Sequence, residues 1–237
     1  MARTIALWAG PRNGSTALMY SFAQRPDTRV LDEPLFAHFL KHTGVARPSR
    51  DEVLNAMPSS NPDALATLVP APSDEVLFLK HMANHLEGMD WEDLDGPKHR
   101  HVILTRHPDG VLPSYRAHID HPTLLDLGYV HQHRILKLAG ERAAVITAES
   151  LFANPTGTLR ALCDALDLPW QTEMLKWQKG GILEDGVWAK YWYDGVHNST
   201  GWEARTLQQG NTPPDLSELR DQCLEHYLAL EQHALKT

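Results

Sequence analysis

The chain has 237 residues, of which 42% are hydrophobic and 22% charged, and its net charge is −8. Such a composition describes a soluble globular protein, a single domain over residues 1–237 with room for a sizeable core. The acidic balance excludes a general nucleic-acid binder, and the absence of any apolar run of about 18 residues excludes a membrane span.

The first apolar run, "TIALW" (4–8), is too short for a signal peptide and leads through "AGPRNGST" into a helical pattern over 15–24. A short run, "TRVL", follows at 28–31. Residues 40–75 are rich in Pro, Ser and Asp and read as an insertion over the sheet. Two more runs come next, "EVLFLK" (75–80) and "HVILTR" (101–106). A helix is predicted over 109–118, with Pro108 near its first turn, and a longer one over 123–139. The run "AAVITA" (143–148) precedes a helix over 155–166. The aromatic-rich stretch 179–212 reads as loop, and a last helix over 215–235 carries Leu216, Leu219, Cys223, Tyr227 and Leu230 on one face.

Apolar runs this continuous suit strands buried on both faces. Their alternation with helices predicts an α/β protein built on a parallel sheet with crossovers. Ligands of such sheets bind beyond the carboxyl ends of the strands. Cys163 and Cys223 fall in helical patterns and read as buried thiols, which fits a reducing cytoplasm. The 14 histidines have no HExxH or CxxC company, so no metal site is expected.

The segment "AGPRNGSTAL", Ala9 to Leu18, joins the first strand to the first helix. A strand–loop–helix junction gathers backbone N–H groups at a helix amino terminus, where an anion is welcome. Gly10 and Gly14 permit the tight turn, Ser15 and Thr16 add hydroxyls, and Arg12 and Asn13 stand inside the loop. The nucleotide-binding pattern G-x-x-x-x-G-K-S/T is not met, since the glycines are four apart and no Lys precedes Ser15. Later strands end in Lys80 and Arg106 rather than in a metal-holding Asp, whereas magnesium-dependent triphosphate chemistry needs both the Lys and the acid. A second anion site is suggested by "TRHPDGVLPSYRAH", in which strand-end Arg106 is followed eight residues on by helical Ser114.

Together the two segments resemble the sulfotransferases that use 3′-phosphoadenosine-5′-phosphosulfate (PAPS) and release its 3′,5′-bisphosphate (PAP). "PRNGST" is similar to that family's P-K/R-S/N-G-S/T-S/T loop, and Arg106 with Ser114 to its 3′-phosphate pair. "ITAESLFANP" resembles its Y-E-D-L-x-x-N-P segment, with Ala148 where the adenine-holding Tyr stands. The resemblance implies a three-layer, P-loop-type parallel sheet flanked by helices, with an aromatic-rich C-terminal lid. It also implies that Arg12, Asn13, Gly14, Ser15, Thr16, Arg106 and Ser114 hold PAPS, without a metal, and that Arg12 and strand-end Lys80 stabilise the leaving group.

For the base that takes the acceptor's proton it leaves three candidates: Glu33 in "VLDEPLF", and His81 and His85 in "LKHMANHL". Within "VWAKYWYDGVHNSTGWE", the residues Trp188, Tyr191, Trp192, Tyr193 and Trp202 either pack as a small core or line an acceptor pocket; His197, Ser199 and Thr200 are candidates to reach the nucleotide. The acceptor is expected to be a small molecule, with no nucleic acid or membrane as partner; a homodimer is left open. Two other readings stand beside this one: a P-loop kinase or nucleotide hydrolase with an altered loop, and a PAP- or PAPS-binding protein without catalysis.

Overall fold

The five apolar runs become the five strands of one parallel sheet in a computed structural model that describes residues 3–71 and 75–237. The end of the expected insertion, residues 72–74, lies outside the described residues. In chain order the elements begin with β1 (Arg3–Ala9), α1 (Ser15–Ala23) and β2 (Thr28–Asp32). The insertion contributes α2 (Phe36–Thr43), α3 (Arg50–Ala56) and α4 (Asn61–Thr67). After β3 (Val76–Met82) come α5 (Trp91–Leu94), β4 (His99–Thr105), α6 (Pro108–Arg116), α7 (Leu124–Leu127) and α8 (Tyr129–Ala139). Next are β5 (Ala143–Thr147), α9 (Ala148–Ala153), α10 (Pro155–Ala165), the single turns α11 (Ala189–Trp192) and α12 (Asp194–His197), and finally α13 (Ser217–Glu231).

The strand order is β2-β3-β1-β4-β5. From β1 the chain crosses toward β2, and from β4 it crosses the other way to β5, so the order reverses between β1 and β4. That reversal opens a crevice at the strand ends, the usual ligand position of an open parallel sheet. The period of two along each strand divides the core. Ile5, Leu7 and Ala9 of β1 face a layer containing Leu18, Phe22, Leu159 and Cys163. Ala6 and Trp8 face the opposite layer, with Trp91, Ile135 and Leu230. Both cysteines are free and buried, as the helical patterns implied.

One expectation is filled in by the structure and one needs correction. The Pro/Ser/Asp-rich stretch holds helices: the Ser60 side chain caps α4, Asn61–Thr67, by accepting the Asp63 N–H, and Val53 of α3 packs in a cluster with Phe39 and Leu40 of α2. Conversely, the predicted 123–139 helix is broken. Gly128 ends α7 and opens α8 with φ +74°, a left-handed conformation that halts one helix and re-aims the next.

A methyl group at Gly128 would meet Ala83 Cβ at an ordinary 3.4 Å, so space does not forbid it. Gly128→Ala is therefore expected to lower stability through backbone conformation alone, by about 1–2 kcal/mol. Urea denaturation with an unchanged m-value checks this, and a loss near zero would contradict it.

Candidate functional site

The crevice is a cavity of about 540 Å³ lined from both sides of the β1–β4 reversal. Gly14 (φ +91°) precedes α1, and no side chain caps the helix, so its first amides are open to a ligand. A Cβ on Gly14 would lie 2.7 Å from the Phe152 ring, which explains the need for glycine there. Asn13 does not line the cavity. It is buried, and its Nδ2 donates to the Leu104 carbonyl (2.5 Å), tying the loop to β4.

The two anion segments read separately from the sequence prove to be bonded to each other. Arg106 Nη1 donates to the Arg12 carbonyl (2.7 Å), and Arg12 Nε donates to Ser114 Oγ (2.9 Å). Both guanidinium groups are desolvated, which pulls their pKa values below the ordinary one. Arg205, absent from the expected site, joins them on the cavity wall over the Phe152 ring (4.8 Å).

Arg205 is delivered by backbone contacts. Its N–H donates to the Phe152 carbonyl (2.8 Å). Five residues on, Gly210 N–H donates to the Asp109 carbonyl (2.9 Å). That carbonyl lacks its helical donor because Pro113, four residues later in α6, has no N–H. Among the described residues none of Arg12, Arg106 and Arg205 has a carboxylate partner.

At the other end, consecutive residues of β3 part company. Lys80 turns to the cavity side, level with Asp32 on β2 in the strand register. His81 turns to the opposite face, is buried, and stacks on Trp8 at 4.4 Å. It does not line the cavity, so it is excluded from the expected bases on geometric grounds. His85 does line it, stacked on Phe36 at 4.8 Å, and burial holds its imidazole well below the usual pKa.

Lys80 Nζ donates to Asp32 Oδ1 (2.9 Å), Glu33 Oε1 (2.6 Å) and Tyr193 Oη (2.6 Å). Those three bonds use all the donors of an ammonium. Lys80 thus has no N–H left for a leaving group, a correction to its expected role; it holds Glu33 instead. Burial works against the ammonium, but the charges of Asp32 and Glu33 outweigh it and raise the Lys80 pKa. Glu33 is itself raised, chiefly by burial, with Lys80 opposing. Its backbone is left-handed (φ +43°), as is that of Arg12 (φ +61°), the strained geometry often stored at working sites.

The C-terminal aromatics divide between packing and lining the cavity, and Tyr191 does neither. Trp188 and Tyr193 are buried in a cluster with Phe36, Phe39 and Val53, and with Trp192 they line the cavity. Trp188 Nε1 donates to Tyr193 Oη (2.9 Å), which in turn donates to Asp32. Tyr191 is 44% exposed beside Lys190, and His197 turns to Asp185 (2.9 Å), so neither reaches the cavity. Ser199 lines it and Thr200 does not. Ala148 is a core residue; the aromatic rings on that wall are Phe152, Trp177 and Trp202. These rings, with Arg205 and Tyr193's bonding, depend on contacts between distant segments that no local spacing announces.

A family model for the sulfotransferase domain matches residues 3–234 of this chain. Two Arabidopsis thaliana proteins, branched-chain-amino-acid aminotransferase-like proteins 1 and 2, are 42% and 41% identical to it over 95% and 97% of its length. The chain spans 41% of the length of each. Its fold is similar to the sulfotransferase domain of the Synechococcus PCC 7002 olefin synthase, with a TM-score of 0.62 and 18% identity over 96% of this chain and 95% of that one. A sulfotransferase from Alicyclobacillus acidocaldarius superposes with a TM-score of 0.58 and 12% identity over 99% of this chain and 98% of that one.

His81 carries a prediction about acid stability. Burial, with smaller repulsion from His101 and Lys80, pushes its pKa down to about 3. The imidazole stays neutral in the folded chain while the unfolded chain takes up a proton below its ordinary 6.5. Its contribution is complete above that value and is lost as pH falls from 6.5 toward 3, about 2 kcal/mol of it by pH 5. His81→Phe should shrink the stability difference between pH 7 and pH 5 by that amount in paired urea titrations.

Proposed function

Because the chain belongs to the sulfotransferase domain family, we propose that it transfers a sulfuryl group from PAPS to a hydroxyl, or similar nucleophile, of a small-molecule acceptor. The observation that carries the donor is the trio Arg12, Arg106 and Arg205: three guanidinium groups with no carboxylate partner among the described residues, lining one cavity of a protein whose net charge is −8. Arg12 and Arg106 are largely desolvated, and such cations are costly unless an anion completes them, while Arg205 stands exposed at the rim. The residues fit a nucleotide carrying two separated anionic groups. The open amides of α1 with Ser15, Thr16 and Arg12 would hold the 5′-phosphosulfate. Arg106, Ser114 and Arg205 would hold the 3′-phosphate, and Phe152, Trp177 and Trp202 would pack against the adenine in place of the Tyr that Ala148 replaces.

When bound, PAPS supplies an activated sulfuryl group and a phosphate leaving group. Arg12 and the loop amides stabilise the charge that develops on the leaving oxygen. Glu33 accepts the proton of the acceptor hydroxyl, its raised pKa bringing it nearer to working pH. Lys80, Asp32 and Tyr193 fix the position of Glu33 and act through it. Phe36, Phe39, Trp188 and Trp192 exclude water and hold the acceptor body. The residues act as one domain, and the free buried thiols suit a reducing compartment such as the cytoplasm.

Calorimetry separates the two ends. Arg106→Ala is expected to weaken PAP binding by about 2–3 kcal/mol while sparing adenosine-5′-phosphosulfate, which has no 3′-phosphate. Stabilisation of the wild-type protein by MgATP but not by PAP would overturn the donor assignment.

Turnover under saturating PAPS tests the base. Glu33→Gln should lower kcat by roughly 10²–10⁴-fold with PAP affinity nearly unchanged. A variant with most of its rate, beside an inactive His85→Ala, would move the role to His85.

A further inference from the structure

The acceptor end of the cavity contains a feature that the transfer reaction does not use. Arg47 reaches the cavity from the segment between α2 and α3, which turns through left-handed Gly44 (φ +70°) and Ser49 (φ +63°). Its guanidinium pairs with Asp126 of α7, and both side chains are largely buried, at 12% and 6% exposure. Arg47 and Asp126 line the same cavity as Glu33, His85 and Tyr115. Arg47 acts electrostatically on both His85 and Tyr115, and Glu33 and Asp126 also act on Tyr115. Tyr115 is therefore within electrostatic range of both Glu33 and the Arg47–Asp126 pair on one cavity wall.

The pair is neutral as a whole, but its hydrogen-bonding capacity is lopsided. Asp126 accepts from Thr123 N–H (2.8 Å), Thr123 Oγ1 (2.7 Å) and Arg47 Nη2, which leaves little of a carboxylate's capacity free. Arg47 donates only from Nη2 to Asp126 and from Nη1 to the Ala46 carbonyl (2.8 Å). Its other N–H donors, Nε–H among them, have no protein acceptor among the described residues. The surplus is thus on the donor side, on a guanidinium that Asp126 and Ala46 hold in one orientation. A fixed guanidinium fork with spare N–H groups suits a carboxylate, whereas an ammonium would find Asp126 already engaged. The cavity that Arg47 and Glu33 share is also lined by the aromatic rings of Phe36, Phe39, Tyr115, Trp188 and Trp192.

We infer that Arg47 is an acceptor-binding residue, and that the acceptor is a small hydroxylated carboxylic acid whose apolar, ring-sized body lies along the aromatic wall, its hydroxyl at Glu33 and its carboxylate on Arg47. This deepens the sulfotransferase reading and rests on it. The acceptor's charge is thereby matched to a cation remote from the sulfuryl group, away from the negative charge of Glu33.

The test compares three phenols of matched shape, 3-(4-hydroxyphenyl)propionate, 4-ethylphenol and tyramine, by calorimetric binding to the whole protein with and without PAP. Wild type should bind the acid on the order of tenfold more tightly than the neutral phenol, and tyramine least. Arg47→Gln should bring the acid-to-neutral ratio close to one. Arg47→Lys should keep part of it. Asp126→Asn, which removes the ion pair but spares the donors, should keep or raise it. Equal binding of acid and neutral phenol by wild type would overturn the proposal, as would loss of the acid preference in Asp126→Asn to the same extent as in Arg47→Gln, the mark of a purely structural pair. Failure of PAP to bind would count against the donor assignment instead, while the ratio measured without PAP still decides Arg47.

Discussion

A lysine ammonium taken out of water at the end of a central strand is the constraint around which the reacting end of the cavity is arranged. Burying an ion costs several kcal/mol unless its partners are well placed. Lys80 meets that condition with two carboxylates and a phenol, each within 2.9 Å. Its needs fix the neighbours. Asp32 must sit at its register partner on β2, Glu33 must turn back through a left-handed backbone, and Tyr193 must arrive from a segment more than a hundred residues away. The covering aromatic segment is therefore attached to the sheet by the same group that orients Glu33. Two carboxylates face one ammonium in this cluster, an imbalance that suits the proton-accepting role proposed for Glu33.

The donor end obeys the opposite logic. There three guanidinium groups have no ion-paired carboxylate among the described residues, Glu149 acting on Arg106 only beyond ion-pair distance, in a molecule that is acidic overall. Potential concentrated in a low-dielectric cleft guides a multiply charged ligand to its place more effectively than the same charges spread over a surface. The hydrogen bonds between Arg106 and the Arg12 carbonyl, and between Arg12 and Ser114, keep these repelling groups in register before any ligand arrives.

What the sequence revealed tracks the range of the interactions. The loop, Arg106 and Ser114 were legible because a strand–loop–helix junction is local and its spacing is set by backbone geometry. The strands were legible because burial on both faces leaves an uninterrupted apolar signature. Lys80 and His81 adjoin in sequence yet face opposite layers, so strand parity separates two candidates that proximity alone ranks together. The helices of the 40–75 stretch were hidden by their caps and turns, and the break at Gly128 by a continuous helical pattern on both sides. Arg47, Arg205 and Tyr193 owe their places to contacts with distant segments, and Asn13, inside the motif, proved to be a brace.

The gap left by Pro113 in α6 gives local and global fitness opposite signs. The Asp109 carbonyl is available to Gly210 only because residue 113 cannot donate to it. Any other residue there would restore an N–H to the helix and set it in competition with the strand of chain that carries Arg205. A substitution scored favourably for helix propensity would thus loosen a wall of the ligand cavity. The imperfection is the docking signal, written as a missing atom in one segment and read by the backbone of another. Sequence optimisation that mends helices one at a time would erase it.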